Sequence, residues 1–221
     1  AGDLGQRIFQ QPFSWLSVGV DIRGRSRTLK VNYRTSQQIR QRADRLLDSK
    51  TEDVDGEHQE RSGTVSVFNG PEPDLRLFGS ADDEIAAVSA CIRKRIDEGA
   101  RPEELGVFVR SDAQAGRAER AVSAAGFMAD RLVGTFQPAS GRIAVATMHG
   151  AKGLEFKAVA VMACDEGVLP LASREEAAAD LVELAEVNET ERHLLYVALT
   201  RARDELLVTG VEPGSVYLQD L

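Results

Sequence analysis

A polar turn with two glycines follows an apolar run in the second half of the chain, and its side chains could bind phosphate. The run covers residues 143–148, and the turn reads His149-Gly150-Ala151-Lys152-Gly153-Leu154-Glu155. Hydroxyl, imidazole and backbone N–H groups in such a turn suit phosphate oxygens. We predict a strand on each side of the turn, with Thr147, His149, Lys152 and Glu155 on one exposed rim. The alternative is a structural role for His149 beside a core strand.

Arg34 occupies a position from which a guanidinium could grip a phosphate. It follows a predicted strand at residues 28–33 and comes just before a predicted helix. Open α/β sheets bind ligands at the carboxyl ends of their strands. Arginine can hold a phosphate there through two parallel hydrogen bonds, which lysine cannot reproduce. A surface salt bridge is the competing interpretation of Arg34.

Arg201 is the second candidate cation. On a helix it shares a stripe with Leu194, Val197 and Ala198, because residues three, four and seven apart lie on one face. A cation at the end of a buried stripe is costly unless an anion meets it. That anion could be a ligand or an internal carboxylate. Arg203 lies nearly opposite and is predicted to be solvated or ion-paired.

Near the start of the chain, a glycine-rich turn carries Gln6, and Phe13 and Trp15 follow it. Alone, this segment indicates only a loop that enters the fold. No Walker A loop and no Walker B-like run of apolar residues ending in paired acids precedes these segments, and the sequence has no G-x-G-x-x-G, G-x-S-x-G or H-E-x-x-H. The acidic run Asp82-Asp83-Glu84 is predicted to stabilise the N-terminus of a helix.

Alternating apolar runs and helical patterns provide the elements that position these residues. Helices are predicted from a capping box at Thr35 and Gln38, and at residues 81–98, 117–125 and 188–202, the last capped by Asn188 with Glu191. Strands separated by helices imply parallel crossovers in an open, doubly wound α/β sheet. The predicted strands cover residues 28–33, 64–69, 74–79, 105–110, 143–148, 158–164 and 205–209.

Two segments depart from this alternation. Residues 63–80 place two short strands on either side of an Asn-Gly-Pro-Glu-Pro turn, which predicts an antiparallel hairpin added at a sheet edge. Residues 49–63 are acidic and polar without periodicity, and this pattern predicts a solvated surface loop. No internal repeat is visible, so one α/β domain is the simplest account.

Composition narrows the class of protein. The 221 residues include 27 Lys and Arg against 35 Asp and Glu, a formal charge of −8 that argues against strong, independent binding to a polyanion. The acids cluster at residues 51–60 and 174–191, so a local basic groove can coexist with the acidic total. No apolar run reaches the roughly 18 residues of a membrane span. Cys91 and Cys164 lie far apart in sequence, which favours reduced cysteines of a cytoplasmic protein and no metal site.

Four segments, taken in order, resemble the carboxyl-half motifs of superfamily 1 helicases of the UvrD/Rep family. AGDLGQRIF resembles the third helicase motif, and LKVNYRTSQQI the fourth. TMHGAKGLEFKAVAV resembles the fifth, and ETERHLLYVALTRAR the sixth. The last two are highly specific. The resemblance implies a RecA-like three-layer α/β/α domain over residues 1–221, with a mostly parallel sheet and residues 1–27 leading in from an N-terminal motor domain.

The resemblance also implies roles for individual residues. Gln6 would sense the γ-phosphate of ATP, and Arg34 and Arg201 would reach it as arginine fingers. Gly153 would let the backbone approach the nucleotide, and Glu155 would contact its ribose. The DNA contacts would come from Thr147, His149 and Trp15, with Trp15 stacking on a base.

These roles predict the second motor domain of a helicase that translocates 3′ to 5′ on single-stranded or partly duplex DNA, with ATP and Mg²⁺ held by the N-terminal motor domain. Without Walker motifs, the present chain is expected to be inactive alone. Only about thirty residues separate Arg110 from Ile143, so a large accessory insertion is not expected there. The alternative is a non-catalytic interaction or regulatory domain that has kept a helicase-like fold.

Overall fold

Six strands form one parallel sheet in the computed structural model, which describes residues 31–47, 50–52, 58–60, 65–133 and 137–221. The strands of the described residues are, in chain order, β1 (Val31–Asn32), β2 (Lys50–Glu52), β3 (His58–Glu60), β4 (Val65–Ser66), β5 (Asp74–Phe78), β6 (Leu105–Val109), β7 (Met128–Arg131), β8 (Arg142–Thr147), β9 (Phe156–Val161) and β10 (Ala202–Val211). The main sheet has the order β5-β10-β9-β6-β8-β7, and every neighbouring pair in it is parallel.

Helices cover both faces of this sheet. They are α1 (Gln37–Asp44), α2 (Ala81–Asp97), α3 (Ala115–Ala124), α4 (Ala172–Glu176) and α5 (Leu181–Leu199). Helices α1 and α5 pack with Phe108 and Val161 in one buried cluster, whereas α2 and α3 pack with Val107 and Val109 in another. Alternate residues of β6 therefore serve opposite faces, as the pleat of a strand requires. The predicted α/β class and its three layers are confirmed.

The ends of the two longest helices are fixed by local chemistry. Ser80 caps α2 by accepting a hydrogen bond from the Asp83 N–H at 3.2 Å, and the chain leaves this helix at Gly99, whose φ of 94° suits glycine. Asp180 caps α5 by accepting from the backbone N–H groups of Val182 and Glu183. Within the described ranges, none of the helices is long and apolar enough to cross a membrane.

The position predicted for the added hairpin is wrong. Strand β4 pairs in parallel with β1 in a separate two-stranded sheet, while β5 pairs in parallel with β10 at the edge of the main sheet. The Asn-Gly-Pro-Glu-Pro segment therefore connects two sheets. An antiparallel pair occurs instead between β2 and β3, within the segment that was predicted to be a loop.

Two predicted helix starts are also corrected. The N-cap position of α1 is Ser36, whose side chain makes no capping hydrogen bond, and the Gln38 side chain accepts from the Gly70 N–H at 2.8 Å, so the predicted capping box does not form. Helix α5 begins at Leu181, seven residues before the predicted cap at Asn188, and ends at Leu199. Arg203 consequently lies in β10. Strand β7 was not predicted.

Candidate functional site

Three chain segments meet at the edge of the sheet where β9 and β10 begin, and we call their meeting point the amino-edge junction (residues 32–36, 154–156 and 200–203). The Ser36 N–H donates to the Arg203 carbonyl at 2.9 Å, and the Phe156 N–H donates to the Arg201 carbonyl at 3.0 Å. These backbone bonds join the segments that resemble helicase motifs four, five and six. Strand position alone would not have placed Arg34 near Arg201. The small β1–β4 sheet lies outside the main sheet and brings Arg34 to this edge.

Arg34 and Glu155 form an ion pair at the junction. The Arg34 Nε lies 3.4 Å from a Glu155 carboxylate oxygen, and the two side chains are 69% and 48% exposed. The Asn32 Oδ1 accepts from the Arg34 N–H at 2.8 Å, which fixes the backbone that carries the arginine. Both charged groups face solvent, so a ligand can reach them without displacing the core.

Arg201 is turned into the domain, with 3% of its surface exposed. Its Nε donates to the Val197 carbonyl at 2.9 Å, and one terminal nitrogen donates to the Leu154 carbonyl at 3.3 Å. The other terminal nitrogen lies 3.2 Å from the Thr200 hydroxyl oxygen. The guanidinium thus ties the end of α5 to the turn that carries Glu155. Arg203 is exposed and forms a fork with Asp204, which confirms its prediction as an ion-paired arginine.

The turn after β8 does not form one rim, so that prediction is wrong. Strands β8 and β9 are both parallel to β6, which lies between them. Residues 148–155 therefore cross from the carboxyl edge of the sheet to its amino edge. Thr147 and Glu155 end up at opposite edges, roughly 20 Å apart for six residues of strand. Gly153 has a φ of 89°, a conformation that favours glycine, and it lies with Glu155 at the amino edge.

Thr147 and His149 remain together at the carboxyl edge. The Thr147 hydroxyl accepts from the Gly150 N–H at 3.2 Å and so holds the first turn after the strand. His149 is half-buried, and burial is the main cause of its lowered pKa, followed by the positive charge of Arg110. The imidazole is therefore neutral near pH 7, with one nitrogen able to donate a hydrogen bond. Lys152 is half-buried within the crossing segment.

A buried carboxylate near the carboxyl edge was missed by the sequence reasoning. Glu191 is fully buried and accepts from both Nε and a terminal nitrogen of Arg110, which follows β6. Arg174, on α4, donates to the same carboxylate at 3.0 Å. The sequence prediction had Glu191 completing a helix cap with Asn188. Its position three residues before Leu194, on the buried stripe of α5, was the available signal.

A second buried acid lies at the carboxyl ends of β9 and β10. Glu84 accepts from the Thr209 hydroxyl at 2.6 Å and from the Ala163 N–H at 3.0 Å, and it forms an ion pair with Arg117. Arg117 also pairs with Asp165 at 2.6 Å. Glu84 was predicted to stabilise a helix N-terminus, as Asp83 does beside Ser80. Glu84 instead follows the apolar spacing of Val88 and faces the core.

Two of the predicted site residues, Gln6 and Trp15, lie outside the described residues. The remaining candidates fall into two groups. Arg34, Gly153, Glu155 and Arg201 meet at the amino edge, whereas Thr147 and His149 lie at the carboxyl edge. The amino-edge group offers guanidinium and carboxylate groups to a ligand, and the carboxyl-edge group offers a neutral imidazole at the edge that also carries Arg110 and Arg174.

Comparison with known proteins gives matches to DNA helicases. Residues 128–212 match the model of the UvrD-like helicase C-terminal domain. The ATP-dependent DNA helicase PcrA of Bacillus subtilis (strain 168) is 41% identical over 75 residues, which cover 34% of this chain and 9% of PcrA. The ATP-dependent DNA helicase Rep of Buchnera aphidicola subsp. Schizaphis graminum is 37% identical over 81 residues, which cover 36% of this chain and 11% of Rep. The matched segment is thus a small part of these relatives.

A solved structure supports the fold. The crystal structure of the C-terminal domain of a possible DNA helicase from Lactobacillus plantarum WCFS1 superposes with a TM-score of 0.53 at 23% sequence identity. The superposition covers 85% of this chain and 92% of that one. At this level of identity the likeness concerns the fold alone.

Proposed function

We propose that the chain, whose residues 128–212 match the UvrD-like helicase C-terminal domain, is the second motor domain of an ATP-dependent DNA helicase or translocase. In this proposal residues 1–221 are one RecA-like domain, and residues 1–27 lead in from an N-terminal motor domain of the same protein. That N-terminal domain would bind ATP with Mg²⁺. The protein would act in the cytoplasm and move 3′ to 5′ along single-stranded DNA.

The amino-edge junction carries this proposal. Arg34 and Glu155 are both exposed, and their ion pair is the kind that contributes only about 0–1 kcal/mol. A nucleotide bound between the two motor domains can therefore replace the pair at small cost. The Arg34 guanidinium would donate to the γ-phosphate of this nucleotide, and the ribose hydroxyls would donate to Glu155. Gly153 leaves room for backbone approach in the same turn.

Arg201 would act as the second arginine finger. In the structure its guanidinium donates to carbonyl oxygens of Val197 and Leu154, so contact with a phosphate requires the side chain to leave them. Closure of a cleft around ATP would bring the γ-phosphate close to Arg201, and its negative charge would favour the movement of the side chain away from these carbonyl oxygens. Two arginines on a separate domain make hydrolysis depend on cleft closure, which can drive stepwise movement along a strand.

Thr147 and His149 would form part of the DNA track at the opposite edge. A neutral imidazole and backbone N–H groups can contact phosphates without reading sequence, as a translocating motor requires. From the family resemblance, Gln6 would couple the γ-phosphate to this track and Trp15 would stack on a base. The formal charge of −8 fits a track that is shared with another domain.

The test is DNA-stimulated ATP hydrolysis by the full-length protein and its variants. A trans-acting arginine contributes roughly 10³–10⁵ in rate, so we expect Arg201→Ala to lower kcat about a thousandfold or more and Arg34→Ala to lower it similarly. Arg203→Ala is the matched control, because this exposed arginine lies at the same edge and is paired with Asp204. Its kcat should stay close to that of the wild type.

Two results would contradict the proposal. One is the absence of DNA-stimulated hydrolysis in the wild-type full-length protein, which would favour the non-catalytic interaction domain. The other is a normal kcat for both Arg34→Ala and Arg201→Ala, which would remove the arginine fingers. Residues 1–221 alone should be inactive, because their sequence contains no Walker A loop to hold the ATP phosphates.

A further inference from the structure

The carboxyl edge carries an arginine that none of the helicase-like motifs includes. Arg174 lies on α4, between the fifth and sixth motifs, with its side chain 39% exposed. Its partner Glu191 is fully buried, and Arg110, the second partner of Glu191, is 3% exposed. Arg174 is thus the solvent-facing member of a cluster that is otherwise enclosed.

Arg174 is not needed to neutralise Glu191. The Arg110 guanidinium already donates to both carboxylate oxygens, Nε to one and a terminal nitrogen to the other. This fork is the geometry of a complete arginine–carboxylate pair. Arg174 shares one of those oxygens at 3.0 Å, which leaves the cluster with two guanidinium charges against one carboxylate.

The surplus positive charge lies at the same edge of the sheet as His149. The Met148 N–H donates to the Val109 carbonyl at 2.8 Å, so His149 and Arg110, which follow these residues, leave the neighbouring strands β8 and β6 side by side. The nearby Asp112 carboxylate is occupied by Arg131 at 2.6 Å. Although Glu175 and Glu176 follow it on α4, Arg174 is the member of this cluster that an anion arriving at the carboxyl edge can reach from solvent.

We propose that Arg174 is a further contact for a backbone phosphate of single-stranded DNA, beside His149, with buried Glu191 as its positioning residue. This inference rests on the proposed function, because it assigns a new residue to the DNA track. The hydrogen bond to Glu191 restricts the position of the Arg174 guanidinium and leaves other N–H groups of Arg174 able to donate to a phosphate. A partly immobilised arginine loses less conformational entropy when it binds a phosphate.

The experiment measures binding of a fluorescent oligothymidylate to the full-length protein over a range of salt concentrations. Arg174→Gln keeps an N–H donor for Glu191 and removes the charge. We expect its Kd at low salt to rise about tenfold. The slope of log affinity against log salt concentration should fall by about 0.7 in magnitude, the value for one phosphate contact on a single strand. Arg174→Lys keeps the charge and should keep the wild-type slope.

Control variants separate this inference from the proposed function. Arg203→Ala removes an arginine of similar exposure at the opposite edge and should leave the slope unchanged. His149→Ala reports on the track itself. If His149→Ala weakens binding but Arg174→Gln keeps the wild-type slope and Kd, Arg174 is only a structural partner of Glu191. If the wild-type protein does not bind the oligonucleotide, the proposed track fails, and this inference fails with it.

Discussion

Arg117 and Arg120 lie close together on α3 but have very different surroundings. Arg117 is enclosed with Glu84 and Asp165, whereas Arg120 is 60% exposed and lies 3.3 Å from an exposed carboxylate of Asp82. Breaking a buried pair leaves an uncompensated charge in the interior, while an exposed pair contributes little. The two arginines therefore test how far burial decides the contribution of an ion pair.

We predict that Arg117→Ala lowers the free energy of unfolding by about 3–5 kcal/mol, because Glu84 stays fully buried without its cation. Arg120→Ala on the same helix should change it by less than about 1 kcal/mol. Urea unfolding followed by circular dichroism measures both values. Similar losses for the two variants would show that Glu84 does not depend on Arg117 for its charge compensation.

The half-buried His149 predicts a pH dependence of stability. Burial, and then the positive charge of Arg110, lower the pKa of His149 in the folded protein below its ordinary value of 6.5, with Glu191 opposing and Arg174 assisting. The unfolded chain therefore binds the proton more readily, so stability falls as pH decreases through that value. Between pH 7.5 and 5.5, the Tm of the wild type should fall further than the Tm of His149→Gln. An identical loss in both proteins would contradict the shift.

Replacing two glycines, one in a strand and one in a helix, is expected to have opposite effects on stability. A methyl group on Gly210, in the central strand β10, would lie 2.6 Å from the Cys164 carbonyl oxygen, whereas one on Gly116, in α3, would meet open space. We expect Gly210→Ala to destabilise by about 1–3 kcal/mol through overpacking. Gly116→Ala should stabilise by about 0.5–1 kcal/mol, because alanine restricts the unfolded chain and favours helix. Thermal unfolding of both variants provides the comparison, and a stabilised Gly210→Ala would be inconsistent with this packing.

Strands and helices with a strong apolar pattern could be predicted from the sequence, but their pairing could not. The predicted strand at 105–110 became β6 almost unchanged, because both faces of it are buried and every residue is apolar or small. The edge strand β5 pairs with β10, about 130 positions later in the chain, where Asp74 lies opposite Leu207. A local turn signal between β4 and β5 carries no information about so distant a partner, which is why a hairpin was predicted there.

The start of α5 shows a similar limit. Its first ten residues are exposed or half-buried, with Leu181 82% exposed, so they lack the buried stripe by which a helix is recognised in sequence. The Asp180 cap extends α5 through these first ten residues, which are not buried against the rest of the domain. The residues from Glu191 onward, which do pack, are the ones that the sequence identified.

For the whole molecule, the motifs named the candidate site residues, but how these residues group in space needed the topology. Thr147 and Glu155 are eight positions apart, and only the insertion of β6 between β8 and β9 separates them to opposite edges. Arg34 and Glu155 are far apart in sequence and form an ion pair. Spacing along the chain therefore predicted that Thr147 and Glu155 lie close together, which they do not. It gave no indication of the Arg34–Glu155 ion pair.

The segment that crosses the sheet has a thermodynamic consequence for the two proposed sites. Met148, Ala151 and Leu154 are buried along its length, and a close-packed interior does not absorb a shift at one end without moving its neighbours. If the proposed sites bind DNA at Thr147 and His149 and nucleotide at Glu155, the two ends of this segment would share one coupling free energy. By linkage, the factor by which DNA changes nucleotide affinity through this segment must equal the factor by which nucleotide changes DNA affinity. One of the two measurements would thus fix the other.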